Sequence, residues 1–227
     1  MNTVLNFIFY FFIYSLLGWI LEVCVRFHEE KKFVNRGFLI GPICPIYGYA
    51  MVILMLLIGT HENDFLSLFL KTIFVCSIVE YLTSYVMEKL FKARWWDYSN
   101  MKFNLNGRVC LKVMLEFGLM GTLALYFLQP YFVKFVKLFS YKYKLIVGLT
   151  LFTLYVIDMI VSLKVMKKIK IQIKKQKEDN TTAIKSQVTD WINEHSFLYR
   201  HIIKAFPRFR IIERVKNILP KKESNKE

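Results

Sequence analysis

Four acids stand in apolar sequence, where a charge is costly. Glu80 falls in the block Phe65 to Met87 and shares a helical face with Cys76, Ser77, Thr83, Ser84 and Glu88, since positions three and four apart align. With Glu88 at the edge of the bilayer, Glu80 lies eight residues deeper, about 12 Å at the helical rise. An ionisable group at that depth faces a bundle interior or a watery cavity and marks an ion or substrate path. The alternative is a protonated or cation-paired glutamate that orders the helices. Glu22 lies one turn before Arg26, near the end of the first apolar block, where the two can form a simple ion pair at the membrane surface. Glu116 and Asp158 have Lys112 and Ser162 four residues away, which points to local pairing.

Two further segments carry unusual chemistry. From Asn35 and Arg36 to Gly48 the chain holds Gly37, Gly41, Pro42 and Pro45 in the opening half of an apolar block, where a continuous helix is strained. Irregular backbone at membrane depth is tolerated where protein buries it or a cavity meets it, and broken helices mark transporter binding sites. Close glycine packing at Gly41 and Gly48 behind a proline turn is the plainer account. In both, the helix start near Pro45 favours an anion. The second segment joins Arg94, Trp95, Trp96, Asp97, Tyr98 and Ser99 to Asn104, Gly107 and Arg108. Paired tryptophans at a boundary belong to aromatic belts, but this density of amides and charges exceeds what a connector needs.

The elements that position these residues follow from hydropathy. Apolar residues make up 55% of the 227 positions and gather into five blocks of a length to cross a bilayer, which takes about 20 helical residues. The blocks are Val4 to Val25, Phe38 to Ile58, Phe65 to Met87, Leu111 to Leu128 and Leu145 to Leu163. Each is read as a helix, because lipid cannot satisfy open backbone. The first lacks a basic n-region and a small-residue cleavage site and is read as a retained span. The chain is therefore an all-α integral membrane helical bundle of about five transmembrane helices, residues 1–163, followed by a basic, amphipathic helical C-terminal tail, residues 164–227.

Charge sets the expected orientation. Arg26, Lys31, Lys32 and Arg36 follow span one, and Lys89, Lys92, Arg94, Lys102 and Arg108 follow span three. The tail adds 17 basic residues against 7 acidic ones. By the positive-inside rule these lie in the cytoplasm of a cell whose plasma membrane holds the bundle, and the N-terminus lies outside. Lys134, Lys137, Lys142 and Lys144 oppose this assignment, unless Tyr131, Phe132, Phe135 and Phe139 form an interfacial turn whose lysines reach headgroups. In the tail, Lys164 to Lys177 continues span five. Trp191, Leu198, Ile202 and Ile203, and then Ile211, Val215 and Ile218, recur at helical spacing on either side of Pro207. The net charge of +15 raises nucleic acid as a partner, but a basic tail beside a membrane span has anionic lipid as its nearer one.

Cys24, Cys44, Cys76 and Cys110 are too widely spaced for a CxxC metal site and read as free thiols, so neither metal nor cofactor is expected. No nucleophile and base pair is evident, and no catalytic residue is assigned.

Several motifs carry a resemblance: Leu17, Gly18, Trp19 and Glu22; Asn35 to Phe38 with Gly41, Pro42 and Cys44 to Gly48; and Trp96 to Ser99 with Phe103, Asn104 and Gly107. In these the chain resembles the Putative ABC-transporter type IV, or CmpB-like, family of small bacterial membrane proteins. The resemblance implies a permease-like subunit. No G-x-x-x-x-G-K-[ST] phosphate loop occurs in the sequence, so an ATPase would be a separate subunit. In this reading Glu22, Arg26, Asn35, Arg36, Gly41, Pro42, Pro45, Glu80, Arg94, Trp96, Asp97, Asn104 and Gly107 surround a polar cavity, and self-association or a partner completes the path. Two other readings remain open at this point. One is a membrane enzyme acting on a lipid or isoprenoid headgroup, with Glu80 or Asp97 as acid or base and Arg36 or Arg94 on phosphate. The other is a scaffold or regulator working through the tail.

Overall fold

The computed structural model describes residues 2–31, 33, 35, 37–58, 64–91, 93–178 and 210–211. Arg36, the segment holding His61 and Glu62, and the tail outside those ranges lie beyond the described residues. The helices are α1 (Asn2–Glu30), α2 (Pro45–Ile58), α3 (Phe65–Phe91), α4 (Leu111–Leu123), α5 (Gln129–Lys137) and α6 (Tyr141–Glu178). Two-residue strands β1 (Ala93–Arg94), β2 (Asn104–Leu105), β3 (Val109–Cys110) and β4 (Arg210–Ile211) pair as β1 with β4 and β2 with β3, both antiparallel.

Among the described residues, four stretches are long and apolar enough to cross a membrane: Thr3–His28, Phe65–Phe91, Leu111–Lys137 and Tyr141–Lys168. Their outer faces expose Leu66, Phe74, Ile146 and Leu149, which a water-soluble domain would bury. The chain is a multi-pass membrane protein. The remaining apolar block is helical only from Pro45, and its 14-residue helix is short for a crossing. Residues 37–44 are non-helical, as the glycines and prolines predict.

Span four corrects the expected turn near Tyr131. From Leu111 the helix passes through a π turn, Ala124–Leu128, and continues as α5 to Lys137, so Tyr131, Phe132 and Phe135 are helical. The cause is Pro130, which lacks an N–H and whose ring would meet the carbonyl four residues back. The wider turn just before it takes up that conflict without ending the helix. Lys144, one of the lysines that opposed the charge rule, is buried and donates from Nζ to Asn6 Oδ1 at 2.9 Å. In the tail, the helix through Lys177 appears as expected. Arg210–Ile211 instead form a strand against β1, which differs from the helical spacing read at Ile211.

Helix α1 packs chiefly on α2, and α3 on α4. The main core joins Phe9, Tyr10 and Tyr14 of α1 to Met51, Leu54 and Met55 of α2, Val75 and Cys76 of α3, and Val136 of α5. A second core, Val165 and Met166 of α6 with Phe91 and Trp95, fixes α6 beside the end of α3. The α1–α2 contact is close because Gly48 faces Phe11 and Ser15, where a Cβ would stand 2.6 Å from the Phe11 carbonyl oxygen.

Candidate functional site

The looped segment before α2 is held from two sides. Asn35 Oδ1 accepts from Trp19 Nε1 at 2.7 Å and from the Gly37 amide at 3.2 Å, and Asn35 Nδ2 donates to the Ile40 carbonyl at 3.0 Å. Across the bundle, the Asp158 carboxylate of α6 accepts from the amides of Ile40 (3.0 Å) and Gly41 (2.8 Å) and from Ser162 Oγ (3.2 Å). Asp158 thus satisfies backbone that leaves the helical pattern at membrane depth. Pro42 is exposed on this segment, and Pro45 opens α2, where its missing N–H costs nothing. The Cys44 amide donates to the Ser15 carbonyl and ties the segment to α1.

One turn into α2, the Tyr47 side chain packs against Gly18, where an added Cβ would collide with the ring. That seat lets the Tyr47 hydroxyl donate to Glu22 Oε1 at 2.8 Å. Arg26 stands half-buried one turn further along α1. Gly18→Val is therefore expected to push the ring aside, free Glu22 of its donor and cost about 1–3 kcal/mol, typical of overpacking. Thermal unfolding in detergent checks this, and an unchanged midpoint would contradict it.

Between α3 and α4 the connection folds into a tight hairpin. Gly107 takes a left-handed φ of +67° and its amide donates to Asn104 Oδ1 at 3.0 Å. A Cβ there would collide with Ser99 and Asp97. Asp97 accepts from the amide and hydroxyl of Ser99 and from Arg94 Nη1, and Asn104 Nδ2 donates to the Ser99 and Met101 carbonyls. Trp96 Nε1 donates to the Arg108 carbonyl. Glu88 of α3 joins the hairpin to the bundle, its Oε2 lying 3.1 Å from Arg94 Nε and 2.9 Å from Arg108 Nη2. The Arg108 guanidinium also lies over the rings of Tyr81 and Tyr85.

This hairpin reaches Glu80. The Tyr98 hydroxyl donates to Glu80 Oε1 at 3.2 Å. Burial raises the Tyr98 phenol above its usual range and the Glu80 charge adds to this, so the hydroxyl keeps its proton and remains the donor. Glu80 is 3% exposed, and its second oxygen, Oε2, has no hydrogen-bond partner among the described residues.

Glu80 lines a cavity of about 430 Å³ enclosed by α1, α2, α3, α4 and the π turn. Of the twelve described candidate residues it is the one in the cavity wall. Asn35 and Gly41 belong to the looped segment, Arg94, Trp96, Asp97, Asn104 and Gly107 to the hairpin, and Arg36 lies outside the described residues. Glu116 forms an exposed pair with Lys112 at 3.7 Å, as its spacing suggests. Cys44, Cys76 and Cys110 are buried free thiols and Cys24 is exposed.

The residues that contact the two acids, Tyr47 and Tyr98, lie in the motifs but were not among the candidate site residues, nor were Tyr14 and Gln129. Tyr14 donates to Gln129 Oε1 at 2.9 Å across the cavity's α1–π turn side. The signal for Tyr47 and Tyr98 lay inside the motifs, as hydroxyl-bearing residues in apolar surroundings. None existed for Gln129, whose inward position follows from the π turn.

No curated protein and no solved structure matches the chain. A family model matches residues 9–163, a stretch that runs from α1 into α6 and takes in the looped segment, the cavity and the hairpin. The chain therefore belongs to the family described as Putative ABC-transporter type IV.

Proposed function

We propose that the chain is a small permease-like subunit whose substrate chamber is the cavity beside Glu80. The observation that carries this reading is a buried carboxylate, with one oxygen lacking a hydrogen-bond partner among the described residues, in the wall of an apolar chamber of about 430 Å³. That volume falls within the range of small-molecule sites. Family membership supports transport, and as the sequence has no phosphate loop this reading puts ATP hydrolysis on a separate subunit. A second copy of the chain or that partner completes the path. Full-length protein isolated from its native membrane in mild detergent should carry ATPase activity that follows it through purification. Isolation with no ATPase activity above that of an unrelated membrane protein would overturn the ABC-subunit reading.

In this reading the hairpin and the C-terminus face the cytoplasm of a plasma-membrane protein, on the side where the basic residues collect. The tail past residue 163 acts as a separate basic segment that meets anionic lipid. A reporter fused after Lys177 should report the cytoplasm and one inserted at Glu62 the outside. Cytoplasmic labelling at Glu62 would reverse the assignment.

A further inference from the structure

The polar groups of the chamber have one sign of preference. Glu80 brings the formal charge among the residues lining it, and Tyr14, Tyr47 and Cys76 bring its other polar hydrogens. Both tyrosine protons are already committed, Tyr14 to Gln129 Oε1 and Tyr47 to Glu22 Oε1. A thiol is only a weak donor. The chamber therefore offers a guest a carboxylate oxygen, hydroxyl lone pairs and the faces of Tyr47 and Phe117, and it has little to offer an anion. A carboxyl in apolar surroundings is costly to ionise, and a cation placed against it offsets that cost. Aromatic faces favour the same sign of charge.

The chamber also argues against a bare metal ion. Hard cations take six or more oxygen ligands, and the described residues contain no cluster of three His, Cys, Asp or Glu side chains. The rest of the wall is Leu, Ile, Val, Met, Phe, Ala and Gly, which suits a hydrocarbon or aromatic body. The rim includes Leu21, Phe127 and Leu128, all exposed on the outer surface of membrane-spanning helices, so the chamber opens toward lipid.

Building on the chamber reading above, we propose that the cavity binds amphipathic organic cations that enter from the bilayer, with the cationic centre seated against Glu80 and the apolar body between α1, α2 and the π turn. Tyr98 holds the other carboxylate oxygen from the hairpin side. It is a positioning residue, since it orients the acid and does not line the cavity.

The test uses the full chain in nanodiscs of zwitterionic lipid, with empty nanodiscs to correct for partition into the bilayer. The probe is radiolabelled tetraphenylphosphonium, compared with neutral triphenylphosphine oxide and anionic tetraphenylborate as competitors. Saturable binding of the phosphonium is expected, displaced by dodecyltrimethylammonium and not by the borate. Glu80→Gln should weaken it about thirtyfold or more, as when one partner of a desolvated charge pair is lost. Ala50→Leu keeps the acid but fills the chamber and should weaken it comparably, which covers the case in which Glu80→Gln does not fold. Tyr98→Phe keeps the acid but releases its second oxygen, and should weaken binding by less than Glu80→Gln. Absence of saturable phosphonium binding by folded protein would overturn the proposal. So would equal binding of the neutral oxide that Glu80→Gln leaves unchanged; if Ala50→Leu still weakens that binding, the chamber reading survives and only the cation preference falls. Binding that Ala50→Leu does not affect lies elsewhere and removes both.

Discussion

Asp158→Ala is expected to release the looped segment before α2 and lower stability by about 2–5 kcal/mol. The Asp158 carboxylate accepts two backbone amides, from Ile40 and Gly41, and one hydroxyl, from Ser162. Each donor left without an acceptor costs about 1–3 kcal/mol when water cannot replace it. The segment has no helical ladder of its own to fall back on, and lipid offers no acceptor. Asp158→Asn keeps one acceptor oxygen and should give an intermediate loss. Two measurements check this: the thermal midpoint in detergent, and alkylation of the buried Cys44 by a maleimide in a Cys24→Ser background. Cys44 should become reactive in the alanine variant. Unchanged melting with Cys44 still protected would show that the segment stands without α6.

Glu88→Ala should have the second largest effect, about 3 kcal/mol. One oxygen of Glu88 serves both Arg94 and Arg108, and these side chains are only 11–20% exposed. Breaking a buried ion pair by removing one partner costs about 3–5 kcal/mol, because the remaining charge stays desolvated. Partial access to water places this site at the lower end, while mutual repulsion of the two guanidinium groups works against relief. Arg108→Lys keeps the charge but loses the planar group above Tyr81 and Tyr85, so its effect should be smaller. Hydrogen exchange across residues 94–110 should rise sharply in Glu88→Ala and only modestly in Arg108→Lys. Wild-type exchange in Glu88→Ala would mean that Asp97 and the hairpin turns hold the connection alone.

What sequence conveyed here was local periodicity and local conflict. The spacing from Cys76 to Glu88 placed Glu80 inward, and Gly41, Pro42 and Pro45 forecast the late start of α2. The four-residue pairs of Lys112 with Glu116 and Asp158 with Ser162 were likewise readable, since helix geometry alone sets them. The contacts that define the site are of another kind. Tyr47 meets Glu22 from 25 residues away, and Asp158 meets Gly41 from 117. No period links such positions; packing does, through the absence of a side chain at Gly18 and the left-handed turn at Gly107. The π turn just before Pro130, which turns Gln129 toward Tyr14, had no counterpart in the sequence reading.

Helix α6 has 38 residues without interruption, about 57 Å at the helical rise, against a hydrocarbon thickness of about 30 Å. The apolar stretch ends at Lys168, so ten residues, about 15 Å of helix at that rise, stand beyond it. Asp158 sits within the apolar stretch and holds the backbone at Ile40 and Gly41. A shift of α6 along its axis would therefore act, through that one carboxylate, on the backbone just before α2.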